Sequence, residues 1–101
     1  MVTRLIYIEK IKVDDKSVLG LKVELPNSPP LLLIVAEKGF VMCAYLNMEA
    51  AEKLQVAAAM VSGVKSFQDI LEADIKAATS KAKELGVNQG MKGQEALKKL
   101  A

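Results

Sequence analysis

Two hydrophobic rhythms divide the chain. Leu19, Leu21, Val23 and Leu25 alternate with Gly20, Lys22 and Glu24, the period-two signature of a half-buried strand. Residues 3–13 form an extended stretch before it, and Asp14-Asp15-Lys16 supplies the polar turn between the two. Pro26-Asn27-Ser28-Pro29-Pro30 is a loop, because its prolines have no backbone N–H to give a sheet. Leu31–Ala36 and Phe40–Leu46 then read as strands flanking Glu37-Lys38-Gly39, with Gly39 expected to supply the positive φ of a tight hairpin.

Beyond residue 46 short helices alternate with strands. Asn47 can cap a helix running to Leu54, since its side-chain carbonyl accepts from an orphan N–H. Val56–Val61 reads as a buried strand bounded by Gly63. Ser66-Phe67-Gln68-Asp69 has capping-box spacing and opens a helix to about Glu72. Residues 74–78 fit a strand or a helix. A helix from about Ser80 ends at Gly86, whose missing Cβ suits a left-handed cap. Gly90 and Gly93 punctuate a turn, and Gln94–Leu100 forms the last helix. The expectation is one domain over residues 1–101, a β-hairpin region (1–46) followed by a mixed region (47–101). Its class is α+β: a two-layer sandwich, with a mostly antiparallel sheet of N-terminal hairpins and short helices on one face.

An antiparallel sheet covered on one side alternates apolar and polar residues. Leu31–Ala36 and Phe40–Leu46 are apolar at every position, and Leu5-Ile6-Tyr7-Ile8 also points apolar groups both ways. Both faces therefore need cover, and a few short helices supply one. Burial is worth ~25 cal/mol per Å² of apolar surface, so a wet second face forfeits several kcal/mol. Further copies of the chain are expected to cover it through the N-terminal strands, making a homo-oligomer.

Composition narrows the chemistry. Among 101 residues, 51% hydrophobic and 26% charged, there is no histidine and one cysteine. That removes Ser-His-Asp and Cys-His mechanisms, His-ligated zinc, intramolecular disulfides and four-cysteine metal sites. The longest apolar runs fall far short of the ~20 residues that span a bilayer. Arg4, Glu9 and Lys10 interrupt the N-terminal apolar stretch, so no signal peptide is expected. A cytoplasmic location follows, and a lone cysteine suits a reducing compartment. The net charge of +2 is uneven, with +4 falling on residues 76–101. A basic segment can attract nucleic acid, although solvated helix faces are the ordinary source of such charge.

Cys43 is the candidate nucleophile. A thiolate needs a histidine, a cation or a helix N-terminus; no histidine exists, but the helix after Asn47 would begin close by. Free cysteine also packs as a small hydrophobe, the plainer reading. Cys43, Asn47 and Lys65 come from adjacent blocks and could converge on a small-molecule site at a subunit interface. Ser62-Gly63-Val64-Lys65 and Ser80-Lys81-Ala82-Lys83 match S-x-x-K, but the S-D-N and K-T-G partners of that motif are missing. Gly90-Met91-Lys92-Gly93 resembles the GxxG clamp of KH domains, yet no strands follow the last helix here. These glycines precede a helix N-terminus, which makes Gly90 and Gly93 candidate anion contacts. Tyr7, Phe40, Tyr45 and Phe67 lie in apolar patterns rather than on basic surfaces, so base stacking is not expected. Asp14 with Asp15 reads as a turn, and Glu49 with Glu52 as one helix face. No metal ligand set and no cofactor motif is found.

Three ordered blocks carry a family resemblance: Val35-Ala36-Glu37-Lys38-Gly39-Phe40-Val41-Met42-Cys43-Ala44-Tyr45-Leu46-Asn47; Ser62-Gly63-Val64-Lys65-Ser66; and Glu84-Leu85-Gly86-Val87 with Gly90-Met91-Lys92-Gly93-Gln94-Glu95-Ala96-Leu97. The chain resembles the YunC-like family, a small domain of unknown function in bacteria and archaea. The resemblance implies a two-layer α/β sandwich and an N-terminal β region that mediates tetramerisation. The family pattern has glycine after the cysteine, where this chain has Ala44. It brings no catalytic residues to carry over. The function expected is a homo-oligomeric binding or interaction module with no assignable reaction. The alternatives are a small-molecule enzyme with an interface site near Cys43 and a nucleic-acid binder using residues 76–101.

Overall fold

A computed structural model describes residues 6–101. Strands β1 (Ile6–Val13) and β2 (Lys16–Val23) form an antiparallel hairpin, with Asp14 in the left-handed region at φ 58. After the proline loop, β3 (Leu31–Val35) and β4 (Phe40–Met42) continue the antiparallel order. Helix α1 (Met48–Lys53) carries the chain over to β5 (Ala58–Met60), which lies parallel to β4. Helix α2 (Phe67–Glu72) leads to β6 (Ala77–Ala78), antiparallel to β5, and α3 (Ser80–Glu84) and α4 (Gly93–Leu100) follow. One six-stranded sheet in the order β1 to β6 results. This is the α+β architecture expected, with a mostly antiparallel sheet and short helices.

The core lies between one sheet face and the helices. Cross-strand neighbours Gly20, Ile34, Val41 and Ala59 line that face. Ile70 of α2, Ala82 of α3, and Ala96, Leu97 and Leu100 of α4 pack against it. Helix α1 stands apart: its buried residue, Ala51, lies outside this cluster, as does the fully buried Ala58.

Several sequence expectations are corrected. The strand beginning at Phe40 stops at Met42 instead of reaching Leu46, because Leu46 N–H already donates to the Cys43 carbonyl in a turn toward α1. Val56–Val61 contracts to Ala58–Met60 as a strand. The ambiguous 74–78 stretch resolves into β6, held by Lys76 N–H on the Met60 carbonyl and Thr79 N–H on the Ala58 carbonyl. The positive-φ glycines are Gly63, Gly86 and Gly90, not Gly39. Gly39 is instead a point of close approach, where a Cβ would strike the Ala57 carbonyl oxygen and come within 3.0 Å of Leu100 Cδ2. In β2 the alternation has the opposite sense to that of an inward leucine row. Val18 and Gly20 are buried toward the helices, while Leu19 is 47% exposed on the other face. A Cβ on Gly20 would sit 2.9 Å from the Phe67 ring, so this glycine makes room for α2 to lie on the sheet.

The capping residues do what their chemistry allows. Asn47 Oδ1 accepts from Ala50 N–H, and Ser66 Oγ accepts from Asp69 N–H. Asp69 returns the bond one residue early, to Lys65 N–H rather than Ser66.

Candidate functional site

Parallel strands β4 and β5 end side by side, and their outgoing segments frame a cleft of about 420 Å³. Cys43-Ala44-Tyr45 leaves β4 on one side, Gly63-Val64-Lys65 follows β5 on the other, and Pro29-Pro30 closes the third. Tyr45 Oη donates to the Pro29 carbonyl at 2.9 Å, tying the proline loop to the turn after β4. The cleft is mostly apolar, with Lys65 as its charged residue. Crevices beyond the carboxyl ends of parallel strands are where α/β sheets hold ligands, because the diverging loops leave space there.

A second cleft of about 550 Å³ adjoins it, sharing Pro29, Pro30 and Lys65 and adding Lys22, Glu24 and Ser28. Lys22 Nζ lies 5.4 Å from the centroid of the Tyr7 ring, close enough for a cation–π contact. Among the described residues neither Lys22 nor Lys65 has a carboxylate within salt-bridge distance.

Cys43 is buried, and its sulfur accepts from Leu32 N–H at 3.4 Å while its own N–H donates to the Leu32 carbonyl at 3.0 Å. The thiol thus lines the cleft with its sulfur already engaged by the neighbouring strand. Asn47 does not line the cleft, and its side chain is committed to the α1 cap. Gly90, in the turn before α4, and Gly93, the first residue of α4, lie elsewhere, with their N–H groups donating to the Ile75 and Ala73 carbonyls. Amides spent in this way cannot cradle a phosphate. Gly93 is needed for packing, because a Cβ there would collide with the Ile70 carbonyl oxygen. The structure therefore brings Cys43 and Lys65 to one cleft and gives the other three residues structural work. Sequence reasoning did not single out Tyr45, Val64, Pro29 or Lys22 as cleft residues. The available signal was positional: each apolar strand run is followed by a short segment that must leave the sheet.

Away from the cleft, three lysines of the basic segment are paired: Lys92 with Asp74 at 2.8 Å, Lys98 with Asp14 at 3.6 Å and Lys81 with Glu84 at 4.0 Å. A hydrogen bond from Lys92, reinforced by its charge, holds the Asp74 carboxyl below its usual range and raises Lys92 in turn. Hydrogen bonds from Ser80 likewise lower Glu52. Among the described residues no group of three or more Cys, Asp or Glu side chains gathers as a metal site. No described helix is long and apolar enough to cross a membrane.

The model of a domain of unknown function (DUF1805) matches residues 42–100. The chain belongs to the DUF1805 family. Both segments after the parallel strands fall within the matched DUF1805 stretch, whereas Pro29, Pro30 and the β1–β3 region lie before it. The uncharacterised protein YunC of Bacillus subtilis (strain 168) is 27% identical over 100 residues, covering 95% of this chain and 98% of that protein. The crystal structure of TA1206, a protein of unknown function from Thermoplasma acidophilum, superimposes with a TM-score of 0.93 at 35% identity. It matches 100% of this chain and 98% of that one. What the chain shares with these two proteins is thus sequence and fold, and no reaction is assigned through them.

Proposed function

We propose that the protein is a homo-oligomeric binding or interaction module, assembled as a tetramer through its N-terminal strands. One observation carries this: the sheet face opposite the core is apolar and uncovered over β1–β3. Register places Ile8, Leu21 and Leu33 in one cross-strand row, Ile6, Val23 and Leu31 in another, and Leu19 beside Val35. Ile6 is 61%, Ile8 66% and Val35 40% exposed. Strand spacing alone makes this face roughly 400 Å² in projection, the size of the largest apolar patch on a typical monomer, which is often an interaction site.

The fitting occupant is a second copy of the chain. The first two rows contain no charged residue and the third adds one, Lys10 beside Leu19, so a twofold axis across the strands brings apolar rows together without like-charge contact. Lys10 and Lys12, at the far end of β1, then face the partner's uncharged end. Among the described residues β1 is also an edge strand. A face and an edge are two different surfaces, as a tetramer built from two dimers requires. A cytoplasmic setting fits the lone, buried and unpaired Cys43.

Native mass spectrometry at micromolar concentration tests the proposal. Four copies are expected for the wild type, and smaller species for the double variant Ile8→Lys/Leu19→Lys. A strictly monomeric wild type sinks it.

A further inference from the structure

The geometry points to a second role, independent of assembly: the cleft between the segments after β4 and β5 binds a small organic monocarboxylate, apolar group inward and carboxylate on Lys65. The volume of about 420 Å³ lies within the range of small-molecule sites. Its walls, from Pro29, Pro30, Ala44, Tyr45 and Val64, offer an apolar body contact on several sides. Proline rings and the Tyr45–Pro29 hydrogen bond at 2.9 Å make those walls stiff, so little ordering accompanies binding.

Charge selects the ligand class. Lys65 borders both clefts and makes no ion pair among the described residues, and Lys22 lines the adjoining one. Glu24 sits beside them, leaving one net positive charge across the three groups. That balance suits a monoanion and disfavours a phosphate dianion, which would also want the fork of an arginine. A cation is excluded by the same lysines.

The larger cleft beside the β3–β4 turn, about 530 Å³, lacks this selectivity. Its Lys38 and Lys81 are matched by Glu37 and Glu84, and Lys81 already pairs with Glu84. Cys43 needs no chemistry in the Lys65 cleft: with its sulfur accepting from Leu32 N–H, it contributes apolar wall.

Phenylacetate, titrated into the isotope-labelled protein, is the test, followed through backbone amide signals in relaxation-optimised spectra. Millimolar binding is expected, with shifts concentrated at Ala44, Tyr45, Gly63, Val64 and Lys65. Phenylethanol should bind about fivefold more weakly, and Lys65→Met should weaken phenylacetate by a similar factor, as for a partly solvated charge pair. Inorganic phosphate should leave these signals unmoved. Ala44→Phe, at an exposed turn position, should fill the cleft and abolish binding while the melting temperature stays near that of the wild type. Lys65→Met is a surface change that keeps the test decisive if the phenylalanine variant fails to fold. The proposal is overturned if phenylacetate shifts nothing, or shifts residues of the open sheet face instead. It is equally overturned if phenylethanol or phosphate binds as well, or if Lys65→Met leaves affinity unchanged.

Discussion

Thr79 is the buried polar side chain of the described core, at 1% exposure, and every bond its hydroxyl can make is made. It donates to the Val56 carbonyl at 2.7 Å and accepts from Ala58 N–H at 3.1 Å and Ala82 N–H at 3.3 Å. One side chain therefore finishes the entry to β5 and caps α3. Replacing it with the near-isosteric valine keeps the volume and strands three main-chain groups. The expected cost is about 2–3 kcal/mol, combining a lost cap with unsatisfied buried groups. Thr79→Ser should recover most of it, because only a methyl group is missing. Urea unfolding of the three proteins measures this, and equal losses for valine and serine would show that the hydroxyl bonds contribute nothing. The sequence offered little warning, since a threonine before Ser80-Lys81-Ala82 reads as an ordinary helix entry and its other two partners, Val56 and Ala58, are more than twenty residues away.

At the scale of elements, ties between sequence-distant pieces decide the behaviour. The approach to β6 and the start of α4 are joined by an isolated bridge between Asp74 and Lys92 and by their 2.8 Å ion pair. Asp74 titrates below its ordinary value because of Lys92, and Glu52 below its own because of Ser80. Lowered carboxylates stabilise the fold fully above their unfolded values, and this contribution is lost as pH falls through the folded ones. Stability should therefore decline as pH drops from about 5 toward 3. The Asp74→Asn variant should be less stable than the wild type at neutral pH and show a flatter acid limb. A variant with an unchanged acid limb would show that the pair is fully screened by solvent. Lys92, raised by the same partner, adds the reverse dependence at alkaline pH, where its contribution disappears as the ammonium deprotonates.

Local rules made most of these elements legible. Asn47 and Ser66 cap as their chemistry dictates, and Gly86 takes φ 101 as a left-handed helix end should. What escaped depends on partners distant in the chain. The inward sense of β2 is set by Phe67, some forty-seven residues beyond Gly20, whose ring occupies the space a side chain would need. Gly39 and Gly93 are glycines because Ala57, Leu100 and Ile70 crowd them, not because the backbone turns there. The candidate site was half visible for the same reason: Cys43 and Lys65 stand out as chemistry, while the proline and tyrosine walls acquire meaning only once β4 and β5 lie parallel.

For the whole molecule, the open face over β1–β3 is the consequence of that inward glycine. Turning Gly20 and Val18 toward the helices turns Leu19, Leu21 and Val23 the other way, onto a face shared with Ile6, Ile8 and Val35. If copies of the chain cover this face, folding and association are linked, and the melting temperature must rise with protein concentration. A monomer has no such dependence. The wild type is expected to melt at progressively higher temperature as it is concentrated from low micromolar to high micromolar. Ile8→Lys/Leu19→Lys should melt at one temperature throughout, since its substitutions lie at exposed positions and should leave the monomer fold intact. Wild-type melting that ignores concentration while the mass stays monomeric would remove the oligomer. The carboxylate cleft would remain, because its walls, apart from the proline loop, come from segments beyond β4.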